Sequence, residues 1–309
     1  RCYCVRTVHK DQDGDKTSAI ATGTVVDDTD GTTDIITIDA INDGEWGNDI
    51  DFEVANYDAT GDNPIITVKV KYDGEVVEKY EEELVTELDA IVNQQSNYVN
   101  IVVLDETTAP QTTIVDLSGG SDGITDITGT DYLGDSSEKT GLHALDDVTI
   151  NMVGIPGQTT QTTLVGIISY AENRADCFAV LDMPLGKSPQ EAKTFKEDNG
   201  ITSEYAGIYY PFVEVADPIG IGKNPTRLIP PSGSVMGICA RTDAESGVWK
   251  APAGLGARIR GALDVGYDMN DAEQDILNPD GINCIRAKDG KGIVIWGARL
   301  ANPDTEVKY

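Results

Sequence analysis

The stretch that decides the fold reads Cys177-Phe178-Ala179-Val180-Leu181-Asp182, then Ser188-Pro189-Gln190-Glu191, then Tyr205-Ala206-Gly207-Ile208-Tyr209-Tyr210. A short, nearly continuous apolar run bounded by turn residues is the pattern of a strand buried on both faces. Ser188 can cap a helix, Pro189 suits its first turn, and Glu191 three places after the cap completes a capping box. That helix is predicted to run to Asn199 and to stop at Gly200. Upstream, Val148-Thr149-Ile150-Asn151-Met152-Val153 reads as a further strand turning at Gly154-Ile155-Pro156-Gly157, followed by a helix over 163–172. Strand, helix, strand, helix, strand predicts an α/β core with a mostly parallel or mixed sheet and helices packed on it.

Toward the N-terminus the rhythm changes. From about 23 to 125 the text is β: Ile35-Ile36-Thr37-Ile38 and Ile50-Asp51-Phe52-Glu53-Val54 read as strands. Ile66 to Tyr72 alternates strictly, meets Asp73-Gly74 and resumes at Val76, the pattern of a tight hairpin. A short helix over 84–93 and a strand over 98–104 complete a module, for which a sandwich-like, mainly-β arrangement is expected. The opening Cys2-Tyr3-Cys4-Val5-Arg6-Thr7-Val8 alternates and is predicted to be a strand of the core sheet. The expected organisation is therefore residues 1–22 as the first part of the α/β core, 23–125 as an inserted acidic outer domain, and 126–309 as the remainder of the core.

Composition supports two folded modules: 39% of the 309 residues are hydrophobic and the mean hydropathy is -0.25. The formal charge is -30, a field that repels nucleic acid and anionic membrane. It is uneven: residues 1–125 hold 27 acidic and 7 basic residues, residues 126–309 hold 26 and 16. No apolar run is long enough to span a membrane. Five scattered cysteines without a Cys-x-x-Cys pair predict reduced, mostly buried thiols and no zinc site. Only His9 and His143 are available as histidine acid–base groups.

The chemical motifs fail on inspection. Gly220-Ile221-Gly222-Lys223 lacks the leading glycine of a phosphate loop, where Asp217 stands, and its hydroxyl residue, where Asn224 stands. Asp11-Gln12-Asp13-Gly14-Asp15 begins like a calcium loop, but Lys16 and Thr22 occupy the positions that need Gly and Glu, and Asp27-Asp28-Thr29-Asp30-Gly31 reads as a solvated turn. Asp182 ends a strand where enzymes keep carboxylates, yet it has no histidine partner in sequence, and a strand-end cap is the expected role. No catalytic, cofactor or metal residues are predicted.

The stretch 209–253 differs in kind. It carries Tyr209-Tyr210-Pro211, then Pro230-Pro231-Ser232-Gly233, then Arg241-Thr242-Asp243, then Gly247-Val248-Trp249-Lys250-Ala251-Pro252. Leu277-Asn278-Pro279-Asp280-Gly281-Ile282-Asn283, Ile285-Arg286 and Ile295-Trp296-Gly297-Ala298-Arg299 follow. This succession resembles contractile phage tail sheath proteins in order and spacing, and Gly44-Glu45-Trp46-Gly47-Asn48 is similar to a turn of the same family. The resemblance implies a structural subunit of a tail sheath, which polymerises as hexameric rings stacked helically around the tail tube and contracts to drive the tube through the target envelope. It implies as partners other sheath subunits, the tube protein, the baseplate and the tail terminator. It implies a place in a virion tail or injection particle assembled in the bacterial cytoplasm. It further implies a longer parent, extending before Arg1 and continuing past Arg299 into a C-terminal domain. The quoted Tyr, Pro, Ser, Gly, Arg, Thr, Asp, Trp, Lys and Asn residues are then expected to be lattice or scaffold residues. Of these, Ser232 would cap the helix after it, with Val235, Ile238 and Cys239 on its buried face. Arg241 and Asp243 would pair internally or face a neighbour, and Trp249 would be a core staple or an interface anchor. Two rival readings are an enzyme on a doubly wound α/β fold, marked by a ligand crevice at strand ends, and a surface adhesin using the acidic β domain.

Overall fold

The computed structural model of the protein describes residues 1–11, 14–60, 63–220 and 225–302. The chain divides into two compact units, Arg6–Thr128 on one hand and Arg1–Val5 with Gly129–Tyr309 on the other.

The first unit contains β1 (Thr22–Val26), β2 (Asp34–Ala40), β3 (Ile50–Asp58), β4 (Ile65–Tyr72), β5 (Glu75–Leu84), helix α1 (Leu88–Gln95), β6 (Val99–Val103) and β7 (Ile114–Asp116). They form two antiparallel sheets, of order β1-β2-β6 and β5-β4-β3-β7. The alternation of β3 and β4 sends Ile50, Phe52 and Val54, and Ile66, Val68 and Val70, to one face, where all six are buried. There they join Ile36 and Ile38 of β2, Ile101 of β6, and Leu88 and Val92 of α1 in one apolar cluster. Asp73 and Gly74 both take positive φ, at 50° and 77°, so the β4–β5 hairpin turns through two left-handed residues, as Asp-Gly turns do.

The second unit contains α2 (Gly129–Leu133), β8 (Met152–Val153), α3 (Gln161–Arg174), β9 (Phe178–Asp182), α4 (Pro189–Asp198) and β10 (Ala206–Tyr210). Then come β11 (Val213–Ala216), β12 (Thr226–Ile229), α5 (Ser232–Ser246), β13 (Ala262–Val265), α6 (Asp271–Leu277), β14 (Ile282–Lys288) and β15 (Gly292–Ile295). The main sheet has order β15-β14-β10-β9-β8, parallel except at β15, so it is mixed. Strand periodicity gives it two buried faces. Ala179, Leu181, Ile208 and Tyr210 pack with Leu164, Ile167 and Ala192 of α3 and α4, while Val180 and Tyr209 pack with Val235 and Ile238 of α5. The Ser188 capping box forms as expected, with Pro189 in the first turn. A second, small antiparallel sheet has order β12-β11-β13.

Three expectations need correction. Residues 2–8 form no strand, and the main sheet does not include them. Alternation over a few residues selects a face but supplies no hydrogen-bonding partner, and residues 1–6 are exposed here. The boundary therefore falls at Val5–Arg6, and residues 6–22 lie in the mainly-β unit. Finally, the strand expected over 148–153 is only Met152–Val153.

Candidate functional site

The motif residues can be followed outward from the end of β9. Asp182 is 2% exposed. Its Oδ1 accepts the Ser232 backbone N–H at 2.8 Å, and its Oδ2 accepts the Ser232 hydroxyl at 2.7 Å and the Gly157 N–H at 3.0 Å. Burial raises the Asp182 pKa above the ordinary carboxylate value, and these hydrogen bonds oppose the shift without cancelling it. The carboxylate at the strand end thus ties the start of α5 and the 154–157 turn to the sheet.

Ser232 does not cap a helix that starts after it. It is the first residue of α5, and Pro231, with φ -76° and ψ -18°, stands at the cap without a side-chain hydrogen bond. Pro231 is already in the helical region, so the helix starts one residue early and takes its carboxylate from Asp182, fifty positions back. Val235 and Ile238 are buried as expected and Cys239 is half-buried, its thiol pushed up to about 11 chiefly by burial. Gly233 has open space beside it. Pro230 leads in from β12.

Tyr209 and Tyr210 are buried on opposite faces of β10, and the Tyr210–Pro211 peptide is cis. The Tyr210 hydroxyl donates to the Lys187 carbonyl at 2.6 Å, and its ring lies 6.2 Å from that of Tyr267.

The C-terminal motif residues form a clamp. Asn283, fully buried in β14, donates from Nδ2 to the Arg299 carbonyl at 2.8 Å and accepts the Arg299 N–H on Oδ1 at 2.7 Å. Arg299 reaches back with Nη1 to the Asn278 carbonyl at 2.9 Å, and the Trp296 N–H bonds the Cys284 carbonyl at 2.7 Å. A Cβ at Gly297 would lie 2.8 Å from Asn283 Oδ1, so only glycine lets the chain pass this close. Asn278, Pro279 and Asp280 make the 3-10 turn, and Gly281 leads from it into β14. Arg286 fastens α6 to the sheet through Asp271, Gln274 Oε1 (2.8 Å) and the Met269 carbonyl (2.9 Å). Trp296 is half-buried, with Lys288 Nζ 4.4 Å from its ring centre.

The loop after α5 behaves differently. Arg241 donates to the carbonyls of Arg258 (3.1 Å) and Gly256 (3.4 Å), and no Arg241–Asp243 ion pair is found among the described residues. The Thr242 and Asp243 carbonyls both accept the Gly247 N–H. Trp249 is 84% exposed, so it is no core staple. Lys250 is exposed, its Nζ 3.4 Å from Ser246 Oγ, and Pro252 is half-buried.

The remaining chemistry is local. No cluster of three or more His, Cys, Asp or Glu able to hold a metal occurs among the described residues. Asp27 and Asp30 spend their carboxylates on the turn that carries them: Asp30 accepts from Thr32 and Thr33, which hold its pKa at about 2. The Gly220–Lys223 and Asp11–Asp15 motifs fall partly outside the described residues. A cavity of about 650 Å³ is lined by His143, Asp146, Tyr170 and Arg174 among others. His143 Nδ1 is 2.9 Å from Asp146 and the Tyr170 hydroxyl donates to Asp146 at 3.0 Å. Burial works against the Asp146 carboxylate, but these bonds outweigh it and hold its pKa below the usual range. Arg174 is committed to the Leu145 and Val148 carbonyls and to Asp176. The group fastens α3 to the preceding segment, the Tyr170 hydroxyl being held between Asp146 and Arg174. Among the described residues, no helix is long and apolar enough to cross a membrane.

Residues 125–299 match the family model described as the phage tail sheath protein central domain. The tail sheath protein of Burkholderia phage BcepMu is 26% identical over 196 residues, covering 57% of this chain and 40% of that protein. The tail sheath protein of Enterobacteria phage T4 is 25% identical over 165 residues, covering 47% of this chain and 24% of its own length. The matches thus cover less than half the length of either relative. The crystal structure of a sheath tail protein from Listeria innocua has the same fold, with a TM-score of 0.64 at 16% identity over 94% of this chain and 58% of that one.

Proposed function

The chain belongs to the phage tail sheath protein family, and we propose that it is the structural, non-catalytic part of a sheath subunit. The observation that carries this reading is where the family match lies. It covers residues 125–299, the α/β unit, and the motif residues there are spent on holding that unit together. Asp182 with Ser232, and Asn283 with Arg299, are buried scaffold junctions, while Trp249 and Lys250 are left on the surface. Motif residues that build a rigid body and one exposed loop suit a lattice subunit better than an enzyme.

In this reading the parent protein stacks in hexameric rings around a tail tube, between baseplate and terminator. Contraction exchanges one set of subunit interfaces for another, with no nucleotide consumed. The unit 6–128 is an inserted, sandwich-like outer module, whose acidity keeps assembled particles dispersed. The test is to co-produce the full-length protein with the tube protein of the same particle and examine the product by electron microscopy. Sheathed tubes of two lengths are expected. Full-length protein that never sheathes the tube would overturn the reading.

A further inference from the structure

In a chain this acidic, the segment around α5 is an exception. Between Asp217 and Asp264 the only acidic residues are Asp243 and Glu245, whereas Arg227, Arg241, Lys250, Arg258 and Arg260 all fall there. The same segment exposes apolar side chains. Val248 is 81% exposed, Trp249 84% and Leu255 56%. An isolated exposed leucine is ordinary, but a fully presented tryptophan beside a valine is the composition of an interface anchor.

The surface is also held in place. Gly254 N–H bonds the Ile295 carbonyl at 2.8 Å, Ile295 N–H the Ala257 carbonyl at 3.0 Å, and Ile259 N–H the Ile293 carbonyl at 2.9 Å. The backbone of 254–259 is thereby stitched to β15. Ala257 and Ile259 are buried, so the alternation turns Arg258 and Arg260 outward. Arg241 grips the same run through two carbonyls. Over 254–259 little backbone ordering remains to be lost on docking, which favours binding.

A cationic, apolar surface fits an acidic, apolar partner, and the chain carries one. Strand β5 lies at the edge of its sheet in a unit with 28 acidic and 6 basic residues. It exposes Glu75, Glu81 and Glu82, the Glu81 carboxylate held by Lys79 of the same strand, together with Val76 (51%) and Val77 (37%). We propose that the Val248–Arg260 surface of one copy docks on the β5 edge of a second copy. Val248 and Trp249 cover Val76 and Val77, and Arg258 and Arg260 meet Glu81 and Glu82. The two patches differ, so each copy carries both halves of the contact. This inference rests on the sheath-subunit reading and names one contact of its lattice.

The test is sedimentation velocity of the 309-residue chain at low salt, from micromolar to millimolar concentration, with Trp fluorescence recorded in parallel. Association is expected, weakening as salt is added, with a blue shift that Trp249→Phe removes. Trp249→Ala, and separately Arg258→Glu with Arg260→Glu, should each weaken association at least tenfold without changing the thermal melt. Adding Glu81→Arg and Glu82→Arg to the charge-reversed chain should restore it to within about threefold. A chain that stays monomeric at millimolar concentration overturns the proposal, as does association indifferent to the loop. Loss without rescue overturns it too, since the loop then seats on another acidic face or on a further segment of the parent protein. Full-length protein that sheathes its tube normally with the loop reversed would sink this contact alone, leaving the sheath reading intact.

Discussion

Replacing Asp182 with alanine tests the central junction most directly. The side chain accepts three hydrogen bonds, two from the fully buried Ser232 and one from the exposed Gly157. Water can replace the acceptor at Gly157. At Ser232 two donors lose their partner inside the protein, at about 1–3 kcal/mol each. Against this, the buried carboxylate no longer has to be desolvated, which recovers part of the loss. The expected net destabilisation of the α/β unit is about 3 kcal/mol. Asp182→Asn keeps an oxygen for the Ser232 N–H and should cost about 1 kcal/mol. The double change Asp182→Ala with Ser232→Ala removes the orphaned hydroxyl as well, and should be less damaging than the two single losses added. The pKa shift adds a signature. Because the folded-state pKa is raised, this group's contribution is fully present below the unfolded value near 3.8 and is lost as pH rises through the folded pKa. Asp182→Asn removes that component, so its penalty should shrink, not grow, from acid toward neutral pH. Urea unfolding monitored by hydrogen exchange of α5 amides separates this unit from the other. A change below about 0.5 kcal/mol for Asp182→Ala, or strict additivity with Ser232→Ala, would refute the account.

Three further outcomes are expected. Asn283→Ala removes both bonds to Arg299 and should destabilise the α/β unit by about 2–4 kcal/mol, read as lost protection of amides 296–301 in hydrogen exchange. Glu53 is held below its usual pKa by hydrogen bonds from Lys69 and Lys71, so the stability it lends the 6–128 unit is present above its unfolded pKa and lost as pH falls. Glu53→Gln should flatten the acid limb of that unit's stability profile, and an unchanged acid limb would count against the pairing. Residues 6–128 expressed alone should melt cooperatively, since they own a complete apolar cluster. A broad, coil-like melt by circular dichroism would contradict this.

Much of the local structure was legible because its causes are contiguous. The capping box at Ser188, the Asp73-Gly74 turn and the alternation of β3 and β4 each depend on residues a few places apart. The buried runs of β9 and β10 announced a sheet covered on both faces for the same reason. The strand expected at residues 2–8 failed where local pattern was the whole argument. The short strands β11 to β13 were missed because four residues between turns carry too little periodicity to read.

The α/β core, the acidic β module and the family text all follow from the order of the residues. Tertiary structure alone decided what that text does. Asp182 caps a helix that begins at Ser232, Asn283 grips Arg299, and Arg241 holds the 256–258 backbone instead of Asp243. It also decided that Trp249 faces outward. A helix cap within one turn is written in neighbouring letters, whereas a hydrogen bond across fifty residues, or the side of a loop that meets solvent, has no periodic signature. Such contacts exist only once the sheet has brought distant segments together and burial has made each polar group find a partner.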